Sequence, residues 1–250
     1  MIIDAQRETR PMGDERVLDY LKSKNFYRCI DFGGVQRPWA SKHVTTYVDL
    51  VDVEGWEKRY PGMYDPYPEI FDATHIIGDC ESDATWAELK KIVNRDGKFD
   101  FAISTHMVEH LLNPGRFLEM LPMVANEGYI GVPNRIFELG RGREFSDEGI
   151  QRCGLTGTYR GAFPHKWIFA IKPDKHRRGC LWAFPKLGAL EMVDLGWESE
   201  LMHYEPLDWG QLGFFWLNDI PVRMVTDKDI GFPDPQIGIE FYRKELGGCL

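Results

Sequence analysis

The chain has 250 residues, of which 43% are hydrophobic and 28% charged, with a formal net charge of −9. This composition fits one large domain, or one domain with a substantial insertion, and predicts a packed core rather than disorder. There is no apolar run of about 18 residues, so no membrane-spanning helix is expected. The charged start MIIDAQRETRPMGDERV lacks the apolar stretch of a secretion signal, and the five cysteines are dispersed with no C-x-x-C pair. Both features predict a cytoplasmic protein with reduced thiols rather than a disulfide frame or a zinc site.

In chain order, residues 14–24 carry apolar positions at 17, 18 and 21 and predict an amphipathic helix. A strand follows over 26–32, and a second, rich in β-branched residues, over 44–51. The stretch YPGMYDPYPEIFD holds too much proline for regular structure. Residues 74–80 predict a third strand. Residues 82–97, opening on Ser82 and Asp83 and closing on Gly97, predict a helix. A fourth strand is expected over 99–104. Asn113 then caps a helix with Pro114 in its first position, and Pro122 should kink or end it. A fifth strand is expected over 128–134. Beyond Pro133 the alternation stops. CLWAFPK and LGFFWLNDIPVRMV predict later strands, and PQIGIEFYRKEL a terminal helix or strand.

Short apolar strands alternating with helices predict an α/β fold, a Rossmann-like and mainly parallel sheet with helices on both faces. The expected division is a core over 1–134, a basic, aromatic-rich lid inserted over 135–178, and completion of the sheet over 179–250. The lid segment holds ten basic and five acidic residues, +5, which leaves −14 for the rest of the chain. An acidic body excludes a general nucleic-acid binder. The basic segment suits a small anionic substrate and suits equally a solvated loop whose cations pair with that body.

Ligands of open parallel sheets bind beyond the carboxyl ends of the strands. The residues at those ends are Asp31, Gly33 and Gly34, then Asp49, then Asp79 and Cys80, then Thr105 and His106. Glycines let backbone approach a ligand closely, and an acid after the second strand can accept from ribose hydroxyls. Taken singly, each is also an ordinary turn former.

With these residues in this order, the chain resembles the class I S-adenosylmethionine-dependent methyltransferases, and within them the broad type 11 group. Asp31-Phe32-Gly33-Gly34 is similar to that family's D-x-G-x-G loop. Asp49 matches its ribose-binding acid, and Gly78-Asp79-Cys80 its adenine-side region. FDFAISTHMVEHLLNPGRFLEML…EGYIGVPN resembles its fourth strand, the following helix start and the fifth strand. The likeness covers about residues 26–134. It implies S-adenosylmethionine as cofactor, held by Asp31, Gly33, Gly34, Asp49, Asp79, Cys80, Thr105 and His106. A softer likeness to members of bacterial surface-polysaccharide pathways implies a small anionic or sugar-linked acceptor, with O-methylation favoured. Val35 departs from the family glycine, and Pro38 leaves room for at most a short helix before the second strand.

Methyl transfer to a hydroxyl needs a proton acceptor, which a near-neutral histidine or a carboxylate supplies. His165, His110 and Glu138 are the candidates, with Glu109 beside His110; each reads as well as a packing or capping residue. His106 and His110 have helical i,i+4 spacing but no H-E-x-x-H pattern, so no metal is expected. Two alternatives remain: a non-catalytic methyltransferase-like scaffold, suggested by Val35, and a nicotinamide-dependent oxidoreductase, for which the full G-x-G-x-x-G is missing. The eight tryptophans and an aromatic C-terminal third would suit a homodimer surface.

Overall fold

Five short strands and the helices between them form the parallel sheet that the alternation predicts. The computed structural model describes residues 13–139, 161, 164–173, 179–186, 211–230 and 235–247. Helix α1 (Gly13–Lys24) leads into β1 (Cys29–Phe32), β2 (Val44–Asp49), α2 (Val53–Arg59), β3 (Thr74–Ile77), α3 (Asp83–Asp96), β4 (Phe99–Thr105), α4 (Pro114–Val124), β5 (Ala125–Pro133) and α5 (Arg135–Leu139). Next come β6 (Trp167–Pro173), β7 (Gly179–Pro185), β8 (Gln211–Leu217), β9 (Val222–Met224), α6 (Asp227–Ile230) and α7 (Pro235–Gly247). The strand order is β3-β2-β1-β4-β5-β8, parallel throughout except for β8, which runs antiparallel to β5. This is a Rossmann-like α/β fold. Its order reverses between β1 and β4, which puts the mouth of the sheet at the carboxyl ends of those strands.

Side-chain alternation sends the strands' apolar residues to two cores. Ile30, Phe32, Val48, Ala102 and Ile130 face Trp86 and Leu89 of α3 and Phe117, Leu118 and Leu121 of α4. Cys29, Tyr47, Phe101, Ile103 and Tyr129 face Val17 and Leu21 of α1 and Val53 of α2. A second sheet, β6-β7-β9, packs its Ile168, Ala170 and Phe184 with Leu139 of α5 and with Tyr242 and Leu246 of α7. Arg135 ties α5 to α7 by donating from Nη1 to the Leu246 carbonyl, 3.0 Å away.

The caps form where the residue types require them. Ser82 accepts from the Ala84 amide, Gly97 closes α3 with φ +84°, and Asn113 accepts from the Arg116 amide ahead of Pro114. Three expectations are corrected. Pro122 does not end its helix: α4 runs to Val124, because a proline in the last turn forfeits one hydrogen bond close to where the ladder stops anyway. Helix α2, absent from the sequence reading, forms because Asp52 accepts from the Gly55 amide at 2.6 Å. Within the proline-rich stretch, Pro68–Asp72 forms a short 3-10 turn. PQIGIEFYRKEL is a helix, and LGFFWLNDIPVRMV divides into β8 and β9. Most of the expected lid lies outside the described residues; α5, Gly161 and residues 164–173, which include β6, are its described parts.

Candidate active site

The loop after β1 bears directly on the glycine pattern. Gly33 has φ +77°, in the left-handed region that favours glycine, and a Cβ there would come within 2.7 Å of Met107 Cγ. A Cβ on Gly34 would overlap the Asp31 carboxylate, which is tucked beneath the loop and fully buried. No such demand falls on the next residue. Val35 is buried in the α1/α2 core beside Tyr64, its amide donates to Asp49 Oδ2 (3.3 Å), and its carbonyl accepts from Tyr64 Oη (3.1 Å). A third glycine is absent because this position supplies packing. Residues 34–43 then run through successive turns, with Trp39 Nε1 donating to Thr105 Oγ1 at 3.2 Å.

Asp49 ends β2 with its carboxylate half-buried at the edge of this loop. Burial raises its pKa above the usual carboxylate range, opposed in part by the amides of Val51, Leu50 and Val35. Directly after it, Leu50 and Val51 are exposed, 68% and 40%, an apolar surface beside an acid at a strand end. The sequence reading did not single them out, although two apolar residues interrupting a polar turn were a visible signal. Asp79 is exposed, its carboxylate accepting from the Glu81 amide (2.8 Å). Cys80 is buried, its carbonyl accepting from Trp86 Nε1 (2.7 Å), and burial pushes its thiol up to about 12. Thr105 and His106 complete the rim at the end of β4.

The second half of the site gathers around Glu109. The expectation that His106 and His110 share a helical face is not met. His106 takes a left-handed φ of 52°, and only Val108–His110 forms a single 3-10 turn. That turn buries Glu109 completely and points His110 toward His165, with ring centroids 4.6 Å apart. His165 arrives at the start of β6, which is stitched to the turn by three bonds. The Lys166 amide donates to the Glu109 carbonyl (2.8 Å), Lys166 Nζ to the His110 carbonyl, and Trp167 Nε1 to the Leu111 carbonyl (2.9 Å). Glu138, on α5, pairs through Oε1 with His165 Nδ1 and through Oε2 with Lys186 Nζ at 3.1 Å. Gly161 lets backbone lie against Glu138, with φ +56° and no room for a Cβ. His110, shielded from water, is held below the ordinary imidazole pKa range, with Glu109 acting in the opposite direction.

His165, His110 and Glu138 are therefore brought together, with Glu109 and Lys186 in the same cluster. Lys186 lay in no motif and gave no sequence signal. The three basic lid residues that are described all have protein partners: Arg135 bonds to Leu246, Lys166 to His110 and Lys172 to Glu245. The other seven lie outside the described residues. Among the described residues no helix is long and apolar enough to cross a membrane.

The chain matches no known family profile and no curated protein. It does resemble solved structures. One is the N-terminal domain of EvdMO1 with SAH bound, 12% identical over 82% of this chain and 65% of that one, with a TM-score of 0.37. The same domain in the presence of SAH and D-fucose gives 12% identity, 83% and 67% coverage and a TM-score of 0.37. The methyltransferase domain of bacterial CtHen1-CN is 16% identical over 68% of this chain and 94% of that one, with a TM-score of 0.37. The chain thus spans about two thirds of the EvdMO1 domain. Overlap this partial is not a basis for shared activity, and the fold assignment rests on the strand order and register.

Proposed function

We propose that the protein is an S-adenosylmethionine-dependent methyltransferase acting on a small anionic or sugar-linked acceptor, with O-methylation favoured and surface-polysaccharide biosynthesis as the pathway. The observation that carries this reading is the β1 loop. Gly33 and Gly34 let the loop close tightly over Met107 and Asp31, where no Cβ would fit, and the half-buried Asp49 carboxylate borders the loop. This donor set fits the nucleoside of the cofactor: Asp49 would accept from ribose hydroxyls, while Leu50 and Val51 offer an apolar surface to a flat base. Thr105, His106, Asp79 and Cys80 would line the remaining rim. Asp31, fully buried against Gly34, would act by shaping the loop. When bound, the cofactor supplies an activated methyl group on a sulfonium; the protein's part is to position the acceptor and take up its proton.

The acceptor end in this reading is the Glu109, His110, His165 and Glu138 cluster, which meets the rim where His106 Nδ1 lies 3.6 Å from Glu109 Oε1. Glu138 accepts from His165 Nδ1, which fixes the ring and leaves Nε2 available to act on the acceptor. Packing of Val35 accounts for the departure that would otherwise favour a non-catalytic scaffold. Successive turns over 34–43 disfavour the oxidoreductase alternative, since a dinucleotide pyrophosphate needs a helix N-terminus there.

Calorimetric titration with S-adenosylhomocysteine, with NAD⁺ as a control, tests the reading. Micromolar binding that weakens about 10–100-fold in Asp49→Ala is expected. No heat from either ligand would overturn it.

A further inference from the structure

We propose that Glu109, His110 and His165 form a binding site for a divalent transition-metal ion. One ligand atom from each lies within 4.8 Å of the others. Ligands sharing one ion stand roughly 3–4 Å apart, so closing on it asks only for rotamer-scale adjustment.

Three observations besides proximity point to a cation. The first is Glu109 itself. It is fully buried, and neither carboxylate oxygen accepts a hydrogen bond among the described residues. Its neighbours are imidazole nitrogens instead, His165 Nε2 at 3.9 Å and His106 Nδ1 at 3.6 Å. A buried carboxylate without hydrogen bonds is unfavourable, and a cation held between it and two imidazoles removes the penalty. The second is the orientation of His165. The Glu138 carboxylate, anchored by Lys186, receives Nδ1–H and so directs the Nε2 lone pair toward Glu109. This carboxylate–histidine arrangement is what orients and strengthens metal-ligating imidazoles. The third is His110. Its ring stands edge-on to that of His165, with centroids 4.6 Å apart, and offers a nitrogen to the same point as His165 and Glu109.

The ligand set determines which ions fit. Two imidazoles and one carboxylate suit Zn²⁺, Co²⁺, Ni²⁺ or Mn²⁺ far better than Mg²⁺ or Ca²⁺, which prefer oxygen. Three protein ligands leave coordination positions open, the pattern of a site that takes an exogenous oxygen. The cluster follows directly on Thr105 and His106, so the open positions lie at the acceptor end if the methyltransferase reading holds; on that reading the ion holds a hydroxyl oxygen of the acceptor. His165 then serves as a ligand, not as the base its sequence context suggests.

The test uses chelator-treated protein titrated with Co²⁺ and with Mn²⁺ by calorimetry, Co²⁺ binding also being read by its visible absorption. Uptake of one ion per chain is expected, resisting a large excess of Mg²⁺. His165→Ala and Glu109→Gln should weaken it at least about 100-fold, and Glu138→Gln, which removes no ligand atom but loosens the bond that orients His165 and the pair with Lys186, about 10–100-fold. Circular dichroism confirms that each variant is folded. If wild-type protein takes up neither ion, or if His165→Ala binds Co²⁺ as tightly as wild type, the site is overturned; the wild-type arm decides even if a variant does not fold. S-adenosylhomocysteine is titrated into the same samples. Its binding without ion uptake defeats the metal site alone, and ion uptake without its binding defeats the cofactor reading alone.

Discussion

The two ends of the proposed active site are built by opposite means. The cofactor end is made from the carboxyl ends of adjacent parallel strands, each within a few residues of its own turn: the loop 31–35, Asp49 to Val51, Asp79 and Cys80, Thr105 and His106. Its groups are mostly backbone, glycine space and one half-buried acid. The acceptor end is assembled from α5, the turn after β4, the start of β6 and the end of β7, and its groups are polar and titratable side chains that are largely buried. One end depends on local geometry, the other on tertiary packing of titratable groups. Damage at the first should therefore appear in ligand affinity, and damage at the second in turnover.

The largest expected effect lies at the acceptor end. His165→Ala should lower methyl transfer by about 10²–10⁴-fold while leaving S-adenosylhomocysteine affinity within about twofold. Asp49→Ala should do the reverse, weakening the cofactor product about 10–100-fold through loss of charge-assisted hydrogen bonds. Parallel kinetics and calorimetry on both variants check the separation. If His165→Ala loses cofactor affinity in step with turnover, the two ends are one site and the comparison fails.

Two glycine-loop variants come next, and both are read by denaturant unfolding. Val35→Gly restores the expected family residue. It should destabilise the protein by about 2–4 kcal/mol, from the deleted buried side chain and the added chain entropy, with no gain in cofactor affinity. Tighter binding would mean that Val35 obstructs the site rather than packing the core. Gly34→Ala should cost about 1–3 kcal/mol because its Cβ meets the Asp31 carboxylate. Combining it with Asp31→Ala should recover part of that loss. Strict additivity in the double-mutant cycle would show that the two groups do not touch.

How far the molecule could be read from its sequence follows the same division. Strands and helices up to β5, α2 excepted, were legible because apolar period and caps are local signals: Ser82 with Gly97, and Asn113 with Pro114, bound their helices as expected. Val35 was misleading, since a sequence motif records the absence of a glycine without showing that the side chain points into a core. At the acceptor end the residue types His110, His165 and Glu138 were legible, but their meeting was not. The bonds that bring them together join Lys166 to Glu109 and Trp167 to Leu111, more than fifty residues apart. Glu109 read as a capping residue because nothing local says that a carboxylate will be fully enclosed. Lys186 sits at the end of an apolar strand, where a lysine is ordinarily just a solvated terminus.

The smallest effect sharpens the comparison most, because it asks whether the acid at the cofactor end carries a cost that the ligand offsets. Burial raises the pKa of Asp49, so the folded chain holds this proton more tightly than the unfolded chain does. The associated stability is fully present below the ordinary carboxylate pKa of about 3.9 and is lost as pH rises through the folded value. At neutral pH the ionised group is therefore a burden in the absence of ligand. Asp49→Asn removes the charge and keeps an acceptor for the Val35 amide. It should raise the melting temperature of the ligand-free protein by a degree or two, on the order expected for a partly solvated group. The gain should shrink as the pH is lowered toward 4. Saturating S-adenosylhomocysteine should reverse the order, since ribose hydroxyls donate more strongly to a carboxylate than to an amide. Scanning calorimetry on both proteins, with and without the ligand, reads the crossing directly. Two curves that never cross would leave Asp49 as a loop brace and remove the nucleoside from this end of the sheet.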